Sequence, residues 1–448
     1  MKKIFLCLIV VLVIFTLTVL GTSCKKAATT AEETTVAETT VAETTATETT
    51  ATETTAAAEP INISLWTWQS GPAYFALYDW VKATYEASHP NVHIEWQSFG
   101  TADYNEALKT AIAGGNPPDI HGVHPGPDTR QMVSAGQLLD LTSIIKDDPE
   151  WGKWIEPALK YEDLYVDGKI YNCPQSVNHL SVFFYKDKFP NGFPETLDEM
   201  YAEADRLNNE GMVPMTVGWA ENWSLIDAFV VYQYQLDPSK KMLGQADRGE
   251  ISWENDTFKQ TFQIVKSLLD NGVVPKDALA LSYGAQAFEN FVSKKAASMW
   301  PMGEWYLASL PEEDLKNGNI MSAPLPKIDE SKDSIITGGS AANLCINAGG
   351  KNIETALEIL KLTNSPEAQE ILFDNLATPP GKVDKESTIP VFTEIANRQA
   401  TFPITYRYIN DPTINEAVGS NLQLLLLGTN ADECLANIQA TVNEVYGK

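Results

Sequence analysis

"INISLWTWQSGPAYFALYDWVKATYEASHPNVHIEW" (residues 61–96) decides the fold, because it holds a strand, a helix and a second strand in succession. The segment INISLW (61–66) alternates apolar and polar side chains, as a half-buried strand does. Apolar side chains then recur at helical spacing, at Tyr74, Leu77, Tyr78, Val81 and Tyr85. HPNVHIEW (89–96) returns to a strand pattern, so the stretch predicts a β–α–β unit.

The same alternation continues along the chain. Strand patterns recur at NPPDIHGV (116–123), LSVFFY (180–185) and NLCINA (343–348). Helix signals lie between and after them: the capping box Thr196 to Glu199, the run Ile353 to Leu362, the start Ser365-Pro366, and a last helix from Asn430 to Gly447. This order predicts an α/β protein with mostly parallel sheets.

The N-terminus resembles an export signal. Lys2 and Lys3 precede an apolar run, Ile4 to Leu20, which ends in Gly21-Thr22-Ser23-Cys24. This pattern is similar to a bacterial lipoprotein signal (residues 1–24), in which Cys24 would be lipidated and become the mature N-terminus. Gly21 departs from that pattern, because leucine is commoner three residues before the cysteine. The alternative is a plain membrane anchor, and either outcome would tether the chain outside the cytoplasm.

Residues 25–59 are of low complexity. From Thr34 the sequence repeats with a period of five: TTVAE, TTVAE, TTATE, TTATE, TTAAA. Without aromatic or large apolar side chains such a segment cannot form a core, so we expect a disordered tether. As a flexible coil it would reach about 30–35 Å on average.

The body, residues 60–448, is long enough for two domains and strongly acidic. The whole chain carries a net charge of −27, and this surface argues against nucleic acid as a partner. After Cys24 there are Cys173, Cys345 and Cys434, which we interpret as small buried residues rather than disulfide partners. Only five histidines occur, so the chain is poor in metal ligands.

The order of the landmarks in the body is recognisable. They are ISLWTW, GNPPDI, AGQLLDLTSII, DGKIYNCPQSVNHLSVFFYKDKF, FVSKKAASMWPMGEW, APLPK, GGSAANLCINAGGKNIETALEILKLTNSPEAQEIL and ATPPGK. Together they make the chain resemble an extracellular solute-binding protein of the sugar-binding ABC-transporter type, the class of maltose-binding protein. The resemblance covers residues 61–448.

The resemblance implies a periplasmic-binding-protein-like fold with two discontinuous α/β lobes, joined by a hinge, and a ligand cleft between them. Lobe 1 would hold residues 60–176 and 331–385, and lobe 2 residues 177–330 and 386–448. It further implies a monomeric, non-enzymatic receptor without a cofactor, which captures a carbohydrate by hinge closure and delivers it to an ABC permease.

The stretch TVGWAENWSL (216–225) falls in a strand-to-helix loop, which is a poor place to bury two indoles. Maltose-binding protein has a glutamate in the corresponding loop and an aromatic residue two positions later, and both touch sugar. Glu221 and Trp223 match that spacing. Trp219 is a further candidate, with the alternative that it closes the edge of its lobe by packing.

Other candidates for the cleft follow from the resemblance and from loop position. Trp305 corresponds to a Gly-x-Trp whose indole stacks on sugar in the family. Trp66 or Trp68 closes the first strand, and Asp128 lies on the loop after DIHGV. Asn178 and His179 lie where the chain would first cross between the lobes, and Tyr408 lies in the C-terminal match TYRYIND.

Two other classes remain open. A secreted glycosidase or lyase would also carry tryptophans and paired carboxylates. A metal-binding receptor is suggested by Asp119, His121, His124 and Asp128, although His121 falls in a strand and His124 in the loop after it.

Overall fold

A computed structural model describes residues 59–69, 71–401, 405–406 and 409–448. The signal segment with Cys24, the tether and Tyr408 lie outside the described residues, except for Glu59 at the end of the tether. Within the described part, no helix combines the length and the apolar character that crossing a bilayer requires.

The body alternates helices and strands. The helices are α1 Pro72–Ser88, α2 Thr101–Ala113, α3 Pro127–Ser134, α4 Thr142–Asp147, α5 Trp151–Trp154, α6 Leu197–Asn209, α7 Asn222–Leu236, α8 Met242–Asp247, α9 Asp256–Asp270, α10 Phe288–Val292, α11 Glu312–Lys316, α12 Ile353–Leu362, α13 Pro366–Asp374, α14 Pro390–Thr401, α15 Pro412–Leu426 and α16 Ala431–Tyr446. The strands are β1 Ile61–Thr67, β2 Val92–Ser98, β3 Ile120–Gly122, β4 Tyr165–Val166, β5 Lys169–Ile170, β6 Ser176–Tyr185, β7 Val213–Thr216, β8 Ala296–Met302, β9 Ile320–Ala323, β10 Thr337–Ala341, β11 Leu344–Ile346 and β12 Thr405–Tyr406.

The first sheet has the strand order β11-β3-β1-β2. β1 is parallel to both β2 and β3, and β11 joins the edge antiparallel to β3. Alternate side chains of β1 (Ile63 and Leu65) are buried against Leu77 and Val81 of α1, so this sheet has its own apolar core. The predicted β–α–β unit is confirmed.

The second sheet has the order β12-β10-β6-β8-β7, with β9 paired to β6. β6 is antiparallel to β8, β9 and β10, while β7–β8 and β10–β12 are parallel. The expectation of mostly parallel sheets is therefore wrong for this half. The reason is that β6 enters directly from the first sheet, without a helical crossover that would turn it parallel to its neighbours.

The chain passes between the sheets on adjacent segments. Cys173 pairs with Leu344 of the first sheet, and three residues later Ser176 pairs with Ala341 of the second. The return from β10 to β11 therefore runs beside the outgoing segment. Because β10 belongs to the second sheet, this return lies later in the chain than the expected boundary at residue 331.

Helix ends follow the signals in the sequence. Thr196 and Glu199 form a reciprocal capping box at α6, and the Ser365 and Asn430 side chains accept hydrogen bonds from the first turns of α13 and α16. Gly447 ends α16 in a left-handed conformation, with φ of 65°. These predicted boundaries are confirmed.

Trp219 lies in the core of the second half. Its exposed fraction is 0%, and its cluster includes Phe229, Trp253 and Phe258. Removing an indole buried in this way typically costs about 3–5 kcal/mol of stability. The alternative of packing, rather than contact with a ligand, describes Trp219 in this structure. Cys173, Cys345 and Cys434 are free and buried, as expected.

Candidate functional site

One indole of the candidate site lies on a glycine of the first sheet. Trp68 follows the end of β1, and its six-membered ring is 2.5 Å from the place that a Cβ on Gly122 would occupy. The ring centroid of His124 lies 3.9 Å from that of Trp68, and the Tyr104 ring 5.3 Å away. The Tyr104 hydroxyl donates to the Gly122 carbonyl oxygen at 2.6 Å. Only a glycine lets the indole lie this close to β3.

A second indole lies on a glycine in the same manner, in the second half. Trp305 belongs to the 3-10 turn Glu304–Ser309, which follows β8, and its ring is 1.9 Å from the Cβ position of Gly303. Gly303 has ordinary extended backbone, with φ of −129°. The close contact, and not a left-handed conformation, is therefore what requires glycine there.

Glu221, which directly precedes α7, forms hydrogen bonds with Trp223 and Tyr283, and we call these three residues the clamp. Glu221 accepts the indole N–H of Trp223 and the backbone N–H of Tyr283, both at 3.0 Å. The Trp223 and Tyr283 rings meet edge to face at 4.6 Å. Glu221 is exposed and Trp223 half-buried, so both reach the surface from one fixed arrangement. Each carboxylate oxygen still has a lone pair for a further donor.

Sequence reasoning missed an aromatic layer beside this clamp. The Tyr306 ring stacks on Phe288 at 4.1 Å and lies 5.7 Å from the Tyr283 ring. Tyr306 directly follows the predicted site residue Trp305, and this position could have identified Tyr306 as a candidate from the sequence. Tyr283 carried none, because only the fold brings residue 283 beside residue 223.

Asn178 and His179 lie on β6 just after the chain enters the second sheet. Asn178 is half-buried and its Oδ1 accepts the Ser176 hydroxyl at 3.4 Å. His179 is 1% exposed, and neither ring nitrogen has a hydrogen-bond partner among the described residues. Burial lowers the pKa of His179 to about 3, and the positive charges of Arg398 and Lys160 act in the same direction. The imidazole is therefore neutral at physiological pH.

Glu304 is a second residue that sequence reasoning missed. It lies between Gly303 and Trp305, is 3% exposed, and has no hydrogen-bond partner of good geometry for either carboxylate oxygen in the described part. Burial raises the pKa of Glu304 to about 8, although its own backbone N–H and that of His179 oppose the rise. In the sequence, the position of Glu304 directly before a tryptophan does not indicate that its side chain is buried.

Two predicted residues lie on the side of the first sheet. Trp66 is half-buried, with its ring 5.2 Å from that of Phe99. Asp128 is in the first turn of α3 and reaches solvent. The protein around Asp128 nevertheless displaces bulk water and raises the pKa of its carboxyl, an effect that Lys109 opposes.

The residues that suggested a metal site do not converge. The Asp119 carboxylate accepts the Ser64 amide and hydroxyl, and the His121 ring lies against the Cys345 thiol, with Nδ1 3.2 Å from Sγ. Burial lowers the pKa of His121 to about 4 and raises that of Cys345 well above its usual range. The part of the chain that the structure describes contains no group of three or more His, Cys, Asp or Glu arranged to hold a metal.

Comparisons with known proteins give one consistent family. A sequence model of the bacterial extracellular solute-binding proteins matches residues 69–370. An uncharacterized ABC transporter extracellular-binding protein of Pyrococcus horikoshii is 24% identical over 259 residues, which is 54% of this chain and 56% of the relative. The chain spans about half the length of the curated relatives it matches.

Solved structures share the fold. A chitin oligosaccharide binding protein superposes with a TM-score of 0.76 at 21% identity, over 87% of this chain and 100% of the other. A maltose-bound MalE3 of T. maritima gives a TM-score of 0.70 at 19% identity, over 86% and 100%. At these identities the likeness shows the fold, and it confirms the predicted periplasmic-binding-protein architecture.

Proposed function

Since the chain belongs to the bacterial extracellular solute-binding protein family, we propose that it is the substrate-binding component of an ABC transporter, which captures a carbohydrate and delivers it to a membrane permease. The observation that carries the proposal is the pair of indoles held on glycines, Trp68 on Gly122 and Trp305 on Gly303. They follow strands of different sheets, and we propose that a ligand between the sheets contacts both indoles. Relatives named as ABC transporter extracellular-binding proteins support the same role.

The chemistry of the site suits a sugar. The flat C–H faces of a pyranose ring pack on indoles, whereas its hydroxyls need donors and acceptors in fixed positions. A hydrogen bond to a charged acceptor such as Glu221 is worth about 1.5–3 kcal/mol. The proposed contacts are the following predicted residues: Trp66, Trp68, Asp128, Asn178, His179, Glu221, Trp223 and Trp305. Trp219 is left out because it is buried in the core.

We place the hinge of the proposed mechanism at the paired crossings, residues 173–176 and 341–344. A ligand that contacts both lobes stabilises the closed arrangement and shifts the population toward it. The lobes would then be residues 60–176 with 342–385, and residues 177–341 with 386–448. Arg130 of α3 interacts with both proposed lobes, because it bonds Asp167 on its own side at 3.2 Å and its charge also acts on Asp247 of α8, so a movement of the lobes would change this interaction.

The first prediction distinguishes a sugar-binding protein from an enzyme that acts on sugar. Incubated with a panel of neutral mono- and oligosaccharides, the protein should raise its melting temperature with one of them and bind it with a dissociation constant near micromolar, about −8 kcal/mol. Chromatography of the incubated sugar should return it unchanged. A product that accumulates in proportion to protein concentration would instead make the chain a secreted carbohydrate-active enzyme.

The second prediction uses the glycine beneath Trp305. In Gly303→Ala the new methyl group overlaps the ring of Trp305 and must displace it, while the extended backbone accepts alanine without strain. Affinity for the sugar should fall at least tenfold, about 1.4 kcal/mol, as measured by titration calorimetry.

Gly349→Ala is the matched control, because this glycine is exposed and its added methyl group meets only one atom, at 3.6 Å. It should bind sugar as the unaltered protein does. Equal affinity of the Gly303→Ala variant would remove Trp305 from the site.

We also propose that the protein is a monomer, tethered to the outer face of a membrane through a lipid on Cys24 and residues 25–59. Cys24→Ser should then release the protein into the soluble fraction or leave it unprocessed. Unchanged partitioning of this variant with membranes would favour an uncleaved apolar anchor in place of the lipid.

A further inference from the structure

Glu304 directly precedes Trp305 in the 3-10 turn that follows β8. Ser181 of β6 pairs with Met302, the last residue of β8, and the backbone N–H of His179 acts on the Glu304 carboxyl, so His179 and Glu304 are neighbours. Both residues are almost fully buried, and among the described residues no group gives the His179 ring nitrogens or the Glu304 carboxylate oxygens a hydrogen bond of good geometry. Buried polar groups in folded proteins nearly always have partners, so this pair requires an explanation.

The pair lies where the two halves of the body meet. Tyr74 of α1 packs in the core of the first sheet, and its hydroxyl donates to the Ser176 hydroxyl at 3.0 Å. Burial raises the pKa of Tyr74, and the charge of Glu304 adds to the rise. Tyr74, a residue of the first half, is therefore close enough to Glu304 for the charge of the carboxylate to act on its hydroxyl. A movement of one half relative to the other would therefore change the surroundings of this carboxyl.

Burial favours the neutral form of both groups, and nearby positive charges further disfavour the charged imidazolium of His179. Tyr74 faces Glu304 from α1, and His179 faces it from β6. His179 is in turn influenced by Arg398 of α14 and by Lys160. In this structure burial raises the pKa of Glu304 to about 8 and lowers that of His179 to about 3. A protonated carboxyl and a neutral imidazole each offer one donor and one acceptor.

We propose that Glu304 and His179 form the hydrogen-bonding floor of the cleft, that they bind hydroxyl groups of an uncharged saccharide, and that Glu304 takes up one proton when the cleft closes. The inference rests on the proposed sugar-binding function and specifies the substrate class for the same site. A hydroxyl both donates and accepts, so it satisfies a protonated carboxyl and a neutral imidazole together. A cationic amino sugar would instead favour the ionised carboxylate and would bind without proton uptake.

The direction of the pH dependence follows from the two states of Glu304. On this proposal the described arrangement, in which burial raises the pKa of Glu304 to about 8, is the closed one, and an open cleft would hydrate the carboxyl and return its pKa toward the ordinary value of 4.5. Closure is therefore favoured by low pH. Between about pH 5 and pH 8, affinity should fall by up to about tenfold per pH unit as pH rises.

The test is calorimetric titration of the protein with the sugar that binds among maltose, raffinose and chitotriose, at several pH values and in buffers of different ionisation enthalpy. The unaltered protein should take up close to one proton per sugar at pH 7 and lose affinity with rising pH. Glu304→Gln keeps the shape but cannot ionise, so its affinity should not depend on pH in this range and it should take up no proton. Glu313→Gln, an exposed glutamate of α11, is the control and should keep the full pH dependence.

Three results would overturn the inference. Sugar binding by the unaltered protein with no proton uptake and a pH-independent affinity would leave the proposed function standing and remove the role of Glu304. The same pH slope in Glu304→Gln would assign the proton to another group. Absence of sugar binding at every pH would overturn the proposed function, and the inference with it. The calorimetric titration of the unaltered protein tests for proton uptake on sugar binding even if a variant folds poorly.

Discussion

Backbone pairing at the passage between the two sheets is the constraint on which the rest of the structure depends. Cys173 bonds to Leu344 in both directions, at 2.7 and 2.9 Å, and three residues further on Ser176 opens the strand that holds the second sheet together. Two antiparallel segments therefore cross side by side. Paired segments of this kind do not slide past each other easily, and they can bend only over a few residues. A hinge needs both properties.

The arrangement of the candidate site follows from the passage of the chain between the two sheets. β6 carries Asn178 and His179 immediately after the crossing and pairs with β8, whose end presents Gly303, Glu304 and Trp305. The first sheet presents Trp68 at the end of β1, on Gly122 of β3. Loops at strand ends are where open α/β sheets bind ligands, and aromatic rings follow strand ends in both sheets here.

Much of the fold could be predicted from the sequence, because the deciding signals are local. The β1–α1–β2 unit, the capping box at Thr196 and the left-handed end at Gly447 each depend on a few neighbouring residues. The antiparallel pairing of β6 could not be predicted from its apolar run LSVFFY, since a buried strand has the same composition in either direction.

The site was harder to predict, because burial and partners come from distant parts of the chain. Trp219 and Trp223 are only four residues apart, yet Trp219, in the loop before α7, enters the core, whereas Trp223, in the first turn of α7, bonds to Glu221. A glutamate is usually exposed, and nothing local in the sequence indicates that Glu304 is buried in the fold, near His179 of β6 and Tyr74 of α1. The resemblance to solute-binding proteins supplied the family, which is confirmed, but not these individual environments.

On the proposed mechanism, a sugar bound between the two halves closes them about the crossing segments. Small-angle X-ray scattering of the purified protein, with and without a saturating amount of a bound sugar, tests this closure most directly. We expect the radius of gyration to decrease on addition of sugar and to recover when the sugar is dialysed away. An unchanged radius of gyration in a sample that calorimetry shows to be saturated would contradict it.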